Sequence, residues 1–345
     1  MKAVGKGLLL TAMAVVGSLG LAACSSGGSA TTEAESGAEA TTSSSDANSD
    51  ETYEIAIAQI VTHASLDAAV DGFKAAIEDA GLKANYKDFN ANNDQQVIPS
   101  IAASIESMDP NLVLAVGTPI AQGLAQTITD VPILFTAVTS PDSAGLVDSL
   151  DAPGANITGT TDKNPVKEQL ELIKEIVPDA KTVGVIYNPG EENSVVQVDW
   201  VKEEAEALGL EVKEAAAPTT ADVQQAAESL DVDAIYLPTD NTVISAIDSV
   251  LQVGETKGIP VFAAEGDSVQ NGAVATYGIS YYDLGYQTGQ MAVRILVDGE
   301  DTATMPVESQ QDLLLYVNTA AAGRMEIEIP QDVLDRAEPE TTFED

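Results

Sequence analysis

Residues 112–122 read Leu-Val-Leu-Ala-Val-Gly-Thr-Pro-Ile-Ala-Gln. Five apolar residues in a row, Leu112–Val116, are too few for a helix. They fit a strand covered on both faces, as in a parallel sheet. Gly117 then breaks the run, Thr118 suits a helix N-cap, and Pro119 suits a first helical position. The stretch is therefore half of a βαβ unit. Its strand ends at a polar turn, where open α/β sheets bind ligands.

The same alternation extends in both directions. Apolar runs predict strands over 54–60, 84–89 and 132–138, and then over 182–187, 211–215, 234–237, 261–263, 274–279 and 313–317. Amphipathic spacing predicts helices over 66–80, 94–107, 166–177, 194–208, 221–230 and 282–296. Gly81 and Gly209 follow two of these as C-terminal stops. Two βαβα sets imply an α/β fold of two doubly wound parallel-sheet lobes. Residues 153–159, Pro-Gly-Ala-Asn-Ile-Thr-Gly, separate the sets and read as a crossing segment.

The ends of the chain have a different character. Residues 1–24, MKAVGKGLLLTAMAVVGSLGLAAC, carry two lysines, an apolar run too short for a membrane span, small residues, and the chain's single cysteine. Leu21-Ala22-Ala23-Cys24 resembles the bacterial lipoprotein signal. That resemblance implies cleavage before Cys24, lipid on Cys24, and an extracytoplasmic, membrane-anchored protein. A single cysteine excludes an internal disulfide. Residues 25–51 hold no large apolar side chain and read as a flexible linker, reaching about 30 Å as a random coil. Residues 338–345 read as an acidic tail.

A formal net charge of −40 excludes nucleic acid as a partner and keeps an exported monomer soluble. The sequence lacks G-x-S-x-G, H-E-x-x-H, C-x-x-C and the phosphate-binding G-x-x-x-x-G-K-[ST]. One histidine leaves little for a catalytic triad or a zinc site. The reading is a binding protein with neither cofactor nor metal, and not an enzyme.

Several blocks then carry a specific likeness: His63-Ala64-Ser65-Leu66-Asp67, Asn90-Ala91-Asn92-Asn93-Asp94, residues 117–122, residues 132–138, Tyr187-Asn188-Pro189-Gly190-Glu191-Glu192-Asn193-Ser194, residues 237–243 and Tyr281-Tyr282-Asp283-Leu284-Gly285. In this order and spacing the chain resembles the substrate-binding lipoproteins of ABC transporters, typified by Gram-positive tryptophan/tyrosine-binding proteins. One block departs from the family, whose common His-Pro-Ala-Leu-Asp is His-Ala-Ser-Leu-Asp here. The resemblance implies a type I periplasmic-binding-protein architecture, with two lobes joined by three crossings. Lobe one would span 52–157 plus 281–311, and lobe two 158–280 plus 312–337. It further implies capture of a small solute, an aromatic or bulky apolar amino acid, for an ABC permease with its cytoplasmic ATPase. A surface sensor on the same fold, or a nucleoside- or sugar-like solute, stays open as an alternative.

Candidate ligand residues stand where strands end. They are His63, Thr118 with Gln122, Thr139, Asn193 with Ser194, and Asp240 with Asn241. Helix N-termini at Thr118 and Asn193 suit a carboxylate. Asp240 suits an ammonium, with helix capping as its other role. Ser65 is expected to cap the helix after His63. Tyr281 could line the cleft or pack a hinge.

Overall fold

The computed structural model describes residues 51–344. The signal and all but the last residue of the expected linker lie outside them. In chain order, the first half runs β1 (Thr52–Gln59), α1 (Ala64–Asp79), β2 (Lys83–Asn90), α2 (Ile98–Glu106), β3 (Leu112–Val116), α3 (Thr118–Ala125), β4 (Ile133–Thr136) and β5 (Ile157–Thr161). Then come α4 (Val166–Ile176), β6 (Thr182–Tyr187), α5 (Glu192–Ala207), β7 (Glu211–Ala216), α6 (Val223–Ser229), β8 (Ala234–Leu237), α7 (Asn241–Ile244), α8 (Ile247–Lys257), β9 (Val261–Ala263), α9 (Gly266–Gln270) and β10 (Ala275–Gly278). The chain ends with α10 (Tyr281–Val293), β11 (Glu308–Ser309), β12 (Leu314–Asn318), α11 (Thr319–Arg324), α12 (Gln331–Leu334) and β13 (Thr342–Phe343).

The strands form two doubly wound lobes. One sheet has the order β11-β5-β4-β3-β1-β2, all parallel. A second parallel sheet has the order β7-β6-β8-β9, continued by β10-β12-β13. A Val274 amide bond to the Val261 carbonyl, 2.7 Å, ties β10 to β9. Each lobe has its own core, one around Phe73, Leu114 and Phe135, the other around Ile186, Tyr236 and Phe262. The strand order reverses between β1 and β3 in the first sheet, and between β6 and β8 in the second. These two switch points lie at the carboxyl ends where a ligand crevice forms.

The chain passes between the sheets three times: after β5, after β10, and between β11 and β12. The first passage corrects the sequence reading. Residues 157–161 are a strand paired with β4, so the first sheet keeps the chain four residues beyond the expected boundary at 157. Its threonines hid it. Thr158 and Thr160 are buried, and their hydroxyls are met by Met305 O at 2.8 Å and Thr288 Oγ1 at 2.7 Å. Satisfied hydroxyls tolerate burial without an apolar pattern. The expected acidic tail is also corrected. Thr342 and Phe343 pair with Val317 and Asn318 as β13, and Thr341 Oγ1 donates to Leu315 O at 2.7 Å.

After the second passage the chain returns to the first lobe as α10, which lies directly against α1. Glycines set the spacing. A Cβ on Gly285 would stand 1.8 Å from Ala69 O, and one on Gly72 would stand 1.9 Å from Tyr282 O. The helix backbones meet at distances no side chain allows.

Candidate functional site

A narrow cavity of about 20 Å³ lies between the lobes, at both switch points. The first lobe lends His63, Ser65 and Leu66 from the start of α1, and Ala137 after β4. The second lends Asn193, Asp240, Asn241, Ile244 and Glu265, and the crossings lend Asp162 and Tyr281. Hydrogen bonds close the lobes over it. Ser65 Oγ donates to Glu265 Oε2 at 2.9 Å, Asn93 Nδ2 to Thr242 Oγ1 at 2.8 Å, and Thr139 and Thr239 hydroxyls meet at 3.3 Å.

The second lobe's face is organised by a carboxylate the sequence reading did not single out. Glu191 is buried at the start of α5. Its oxygens accept from the Asn241 amide at 3.1 Å and side chain at 2.6 Å, and from the Thr242 amide at 3.1 Å and hydroxyl at 2.8 Å. Asn193 Nδ2 adds a bond at 3.3 Å. Five donors thus converge on its two oxygens. Beside it, Asp240 accepts the Asn188 amide at 2.5 Å and the Val243 amide at 2.8 Å. Asp240 thus caps α7, the second of its two expected roles. Burial, then the Glu191 charge, push its carboxyl up to about 7.

Asp162, just past β5, is different. It is buried, and its Oδ2 accepts the Tyr281 hydroxyl at 2.6 Å, while Oδ1 has no partner. Burial raises its pKa. An unpaired carboxylate oxygen at a cavity wall is costly unless something brings a donor, preferably a cation. Two more buried atoms at the cavity residues lack partners, His63 Nδ1 and Asn193 Oδ1. His63 borders Asn241 across the cleft, and burial lowers its pKa to about 4.

Opposite the acids stands an open helix end. His63 holds the N-cap position of α1 and makes no capping bond. Ser65 does not cap the helix as expected, because its hydroxyl is turned to Glu265. The first amides of α1 therefore remain available, with the positive end of a 16-residue helix behind them.

Of the expected ligand residues, the structure brings His63, Asn193, Asp240 and Asn241 to the cavity. Thr118 is buried nearby but does not line it. Gly117, φ 98°, takes the N-cap position of α3, and the Thr118 hydroxyl has no partner. Gln122 is engaged elsewhere, donating to Ala144 O at 3.0 Å. Thr139 and Ser194 sit behind the lining, the first bonded to Thr239 and the second to Asn193 Nδ2 at 3.3 Å. Among the described residues no group of acids, histidines or cysteines is arranged to hold a metal ion, and no helix is long and apolar enough to cross a membrane.

Comparison with known proteins places this geometry in a family. The family model for ABC transporter substrate binding proteins matches residues 54–341. A "Tyrosine-binding protein" from Clostridioides difficile (strain R20291) is 42% identical over 270 residues, 76% of this chain and 78% of the relative. Among solved structures, a conserved domain protein from Vibrio cholerae superposes with a TM-score of 0.82 at 36% identity, over 85% of this chain and all of that one. An ABC domain from Streptococcus pneumonia in complex with L-Trp gives 0.81 at 33% identity, with the same coverage. A ligand-free, open substrate-binding protein with adhesive properties from Clostridium difficile gives only 0.64, although it is 41% identical over 83% of this chain and 98% of its own. Shape here follows lobe arrangement more than sequence, as expected when rigid lobes rotate about a hinge. The cross-lobe bonds put this chain in the closed arrangement. The chain belongs to the ABC transporter substrate-binding protein family, extracytoplasmic two-lobe proteins that capture a small ligand for a permease.

Proposed function

We propose that this chain captures an aromatic α-amino acid in the closed cleft. The observation that carries the reading is the pairing, across one small cavity, of the unpartnered Asp162 carboxylate oxygen with the uncapped N-terminus of α1. An α-amino acid brings an ammonium for the first and a carboxylate for the second. Leu66, Ala137, Ile244 and Tyr281 supply apolar wall for a side chain. The tyrosine-binding relative and the L-Trp complex support the aromatic class. Calorimetry on the purified chain, freed of ligand, should give micromolar or tighter binding of tryptophan, tyrosine or phenylalanine. No heat from any amino acid would sink the reading.

Lipid on Cys24 is the second part of the proposal, and it rests on the signal-like residues 1–24. The anchor would hold the receptor near its transporter, where local concentration is high. Cys24→Ala should move the protein from the membrane fraction to the medium, read by fractionation and intact mass. A variant that stays with the membrane at unchanged mass would remove the anchor.

A further inference from the structure

Two of the acids that line the cavity are satisfied within the protein. Asp240 accepts the Asn188 and Val243 amides, and Glu265 accepts the Ser268 amide at 3.0 Å and the Ser65 hydroxyl at 2.9 Å. Among the lining residues, the buried side-chain atoms left without a hydrogen-bond partner are Asp162 Oδ1, Asn193 Oδ1 and His63 Nδ1. They come from three places: the crossing after β5, the start of α5 and the start of α1. Asp162 and Asn193 are 2% and 3% exposed. No lysine or arginine is among the lining residues.

We propose that Glu191 is a positioning residue for ligand capture: it holds Asn193 and Asn241 in the amide orientation that leaves Asn193 Oδ1 and His63 Nδ1 as acceptors, and these join Asp162 Oδ1 in receiving the N–H groups of a primary ammonium. The proposal rests on the ligand reading above and deepens it. The Asn193 amide has one allowed orientation. Its Nδ2 donates to Thr239 O at 2.9 Å, a backbone carbonyl that only accepts, and to Glu191 Oε2 at 3.3 Å. Oδ1 is thereby the atom left over. Asn241 is fixed in the same way. Its Nδ2 donates to Glu191 Oε2 at 2.6 Å, and its Oδ1 faces the first lobe, where a Cβ on Gly117 would stand 3.7 Å from it. His63 meets the Asn241 side chain across the cleft. The Asn241 oxygen only accepts, so the ring nitrogen that meets it carries the hydrogen. Nδ1 is the nitrogen without a partner, so the hydrogen is on Nε2 and Nδ1 keeps a lone pair. Burial, which lowers the ring's pKa to about 4, keeps it neutral.

The kind of unmet atom decides the chemistry. Every one of them is an acceptor, and an ammonium has three N–H groups and no lone pair. A hydroxyl in its place offers one hydrogen, and a methylene offers none. Either leaves buried acceptors stranded, which is costly. At about 20 Å³ the cavity is narrow, with room for one small polar group between these walls. Glu191 is not among the lining residues. It acts through Asn193, through Asn241 and, by way of Asn241, through His63.

The test compares L-tryptophan with indole-3-propionate, which keeps the ring and the carboxylate and carries hydrogen in place of the ammonium. By calorimetry the wild type should prefer tryptophan by roughly a hundredfold or more. Asn193→Ala and His63→Phe should each weaken tryptophan about tenfold more than indole-3-propionate, so the preference shrinks. Glu191→Gln should shrink it as well, because the new amide hydrogens face the Asn193 and Asn241 donors and turn one of those amides over. Equal losses for both ligands in all three variants would leave Glu191 a structural brace and overturn the proposal, with amino-acid capture intact. The wild type supplies a second reading that no folding defect can blur. His63 is the chain's one histidine, so its ring nitrogens give a single pair of nitrogen-15 signals. In the tryptophan complex they should show hydrogen on Nε2 and none on Nδ1, with the Nδ1 signal moved by tryptophan and not by indole-3-propionate. Hydrogen on Nδ1 in that complex would overturn the proposal. Absence of heat from the wild type with every amino acid would remove the ligand reading, and the positioning role with it.

Discussion

Asp162→Ala should weaken binding of an α-amino acid by roughly thirtyfold or more, with a smaller loss of melting temperature than Asp240→Ala. The two expectations come from one geometry. Asp162 Oδ1 is buried without a hydrogen-bond partner, and Oδ2 accepts the Tyr281 hydroxyl at 2.6 Å. Removing one partner of a buried charged pair costs about 2–5 kcal/mol in affinity. In the free protein the substitution strands one donor, the Tyr281 hydroxyl, at about 1–3 kcal/mol, and removes an unpaired buried carboxylate oxygen in return. Asp240→Ala should show the reverse balance. Its oxygens hold the Asn188 and Val243 amides, and stranding those donors costs about 1–3 kcal/mol each in stability. Calorimetry and thermal melts on the two variants would separate the roles. An Asp162→Ala protein that binds as tightly as wild type would remove Asp162 from the site.

Asp162 also marks where the sequence was readable and where it was not. Continuous apolar runs such as Leu112–Val116 and Ala234–Leu237 have observed strand bounds equal to the expected ones, because both faces are buried and only apolar residues fit. β5 was read as a crossing because alternate positions carry threonine, whose hydroxyls are met by Met305 O and Thr288. With the strand missed, the acid at its carboxyl end had no reason to stand out. The signal that could have exposed it is Ile-Thr-Gly-Thr-Thr followed by Asp, a β-branched run ending in a charge. Asn193, Asn241 and His63 were found because they follow legible strands. Glu265 and Glu191 escaped because surface acids abound in a chain with 55 Asp and Glu. Only packing tells which of them are enclosed.

Gly285→Ala should be among the most damaging single methyl groups at the described residues, and its effect should reach the ligand. The added Cβ would stand 1.8 Å from Ala69 O, well inside van der Waals contact. Both partners are helix backbone, so no side-chain rotation relieves the clash, and α1 and α10 must separate. Overpacking of this kind costs about 3 kcal/mol or more. At roughly 2–4 °C per kcal/mol for a protein of this size, the melting temperature should fall by about 6–12 °C. The separation has a second consequence. α1 offers its open N-terminus to the cavity, and α10 begins at Tyr281, which holds Asp162. One close-packed pair of helices therefore sets the distance between the two groups proposed to grip the ligand's opposite charges. Moving the helices apart by a fraction of an ångström misplaces both ends at once, so affinity should fall along with stability. A surface variant such as Gly323→Ala, whose Cβ would meet nothing within 4 Å, should change neither. If Gly285→Ala lowered the melting temperature while leaving affinity at the wild-type value, the helix pair would be a structural brace alone, and the grip would be set by the strand ends.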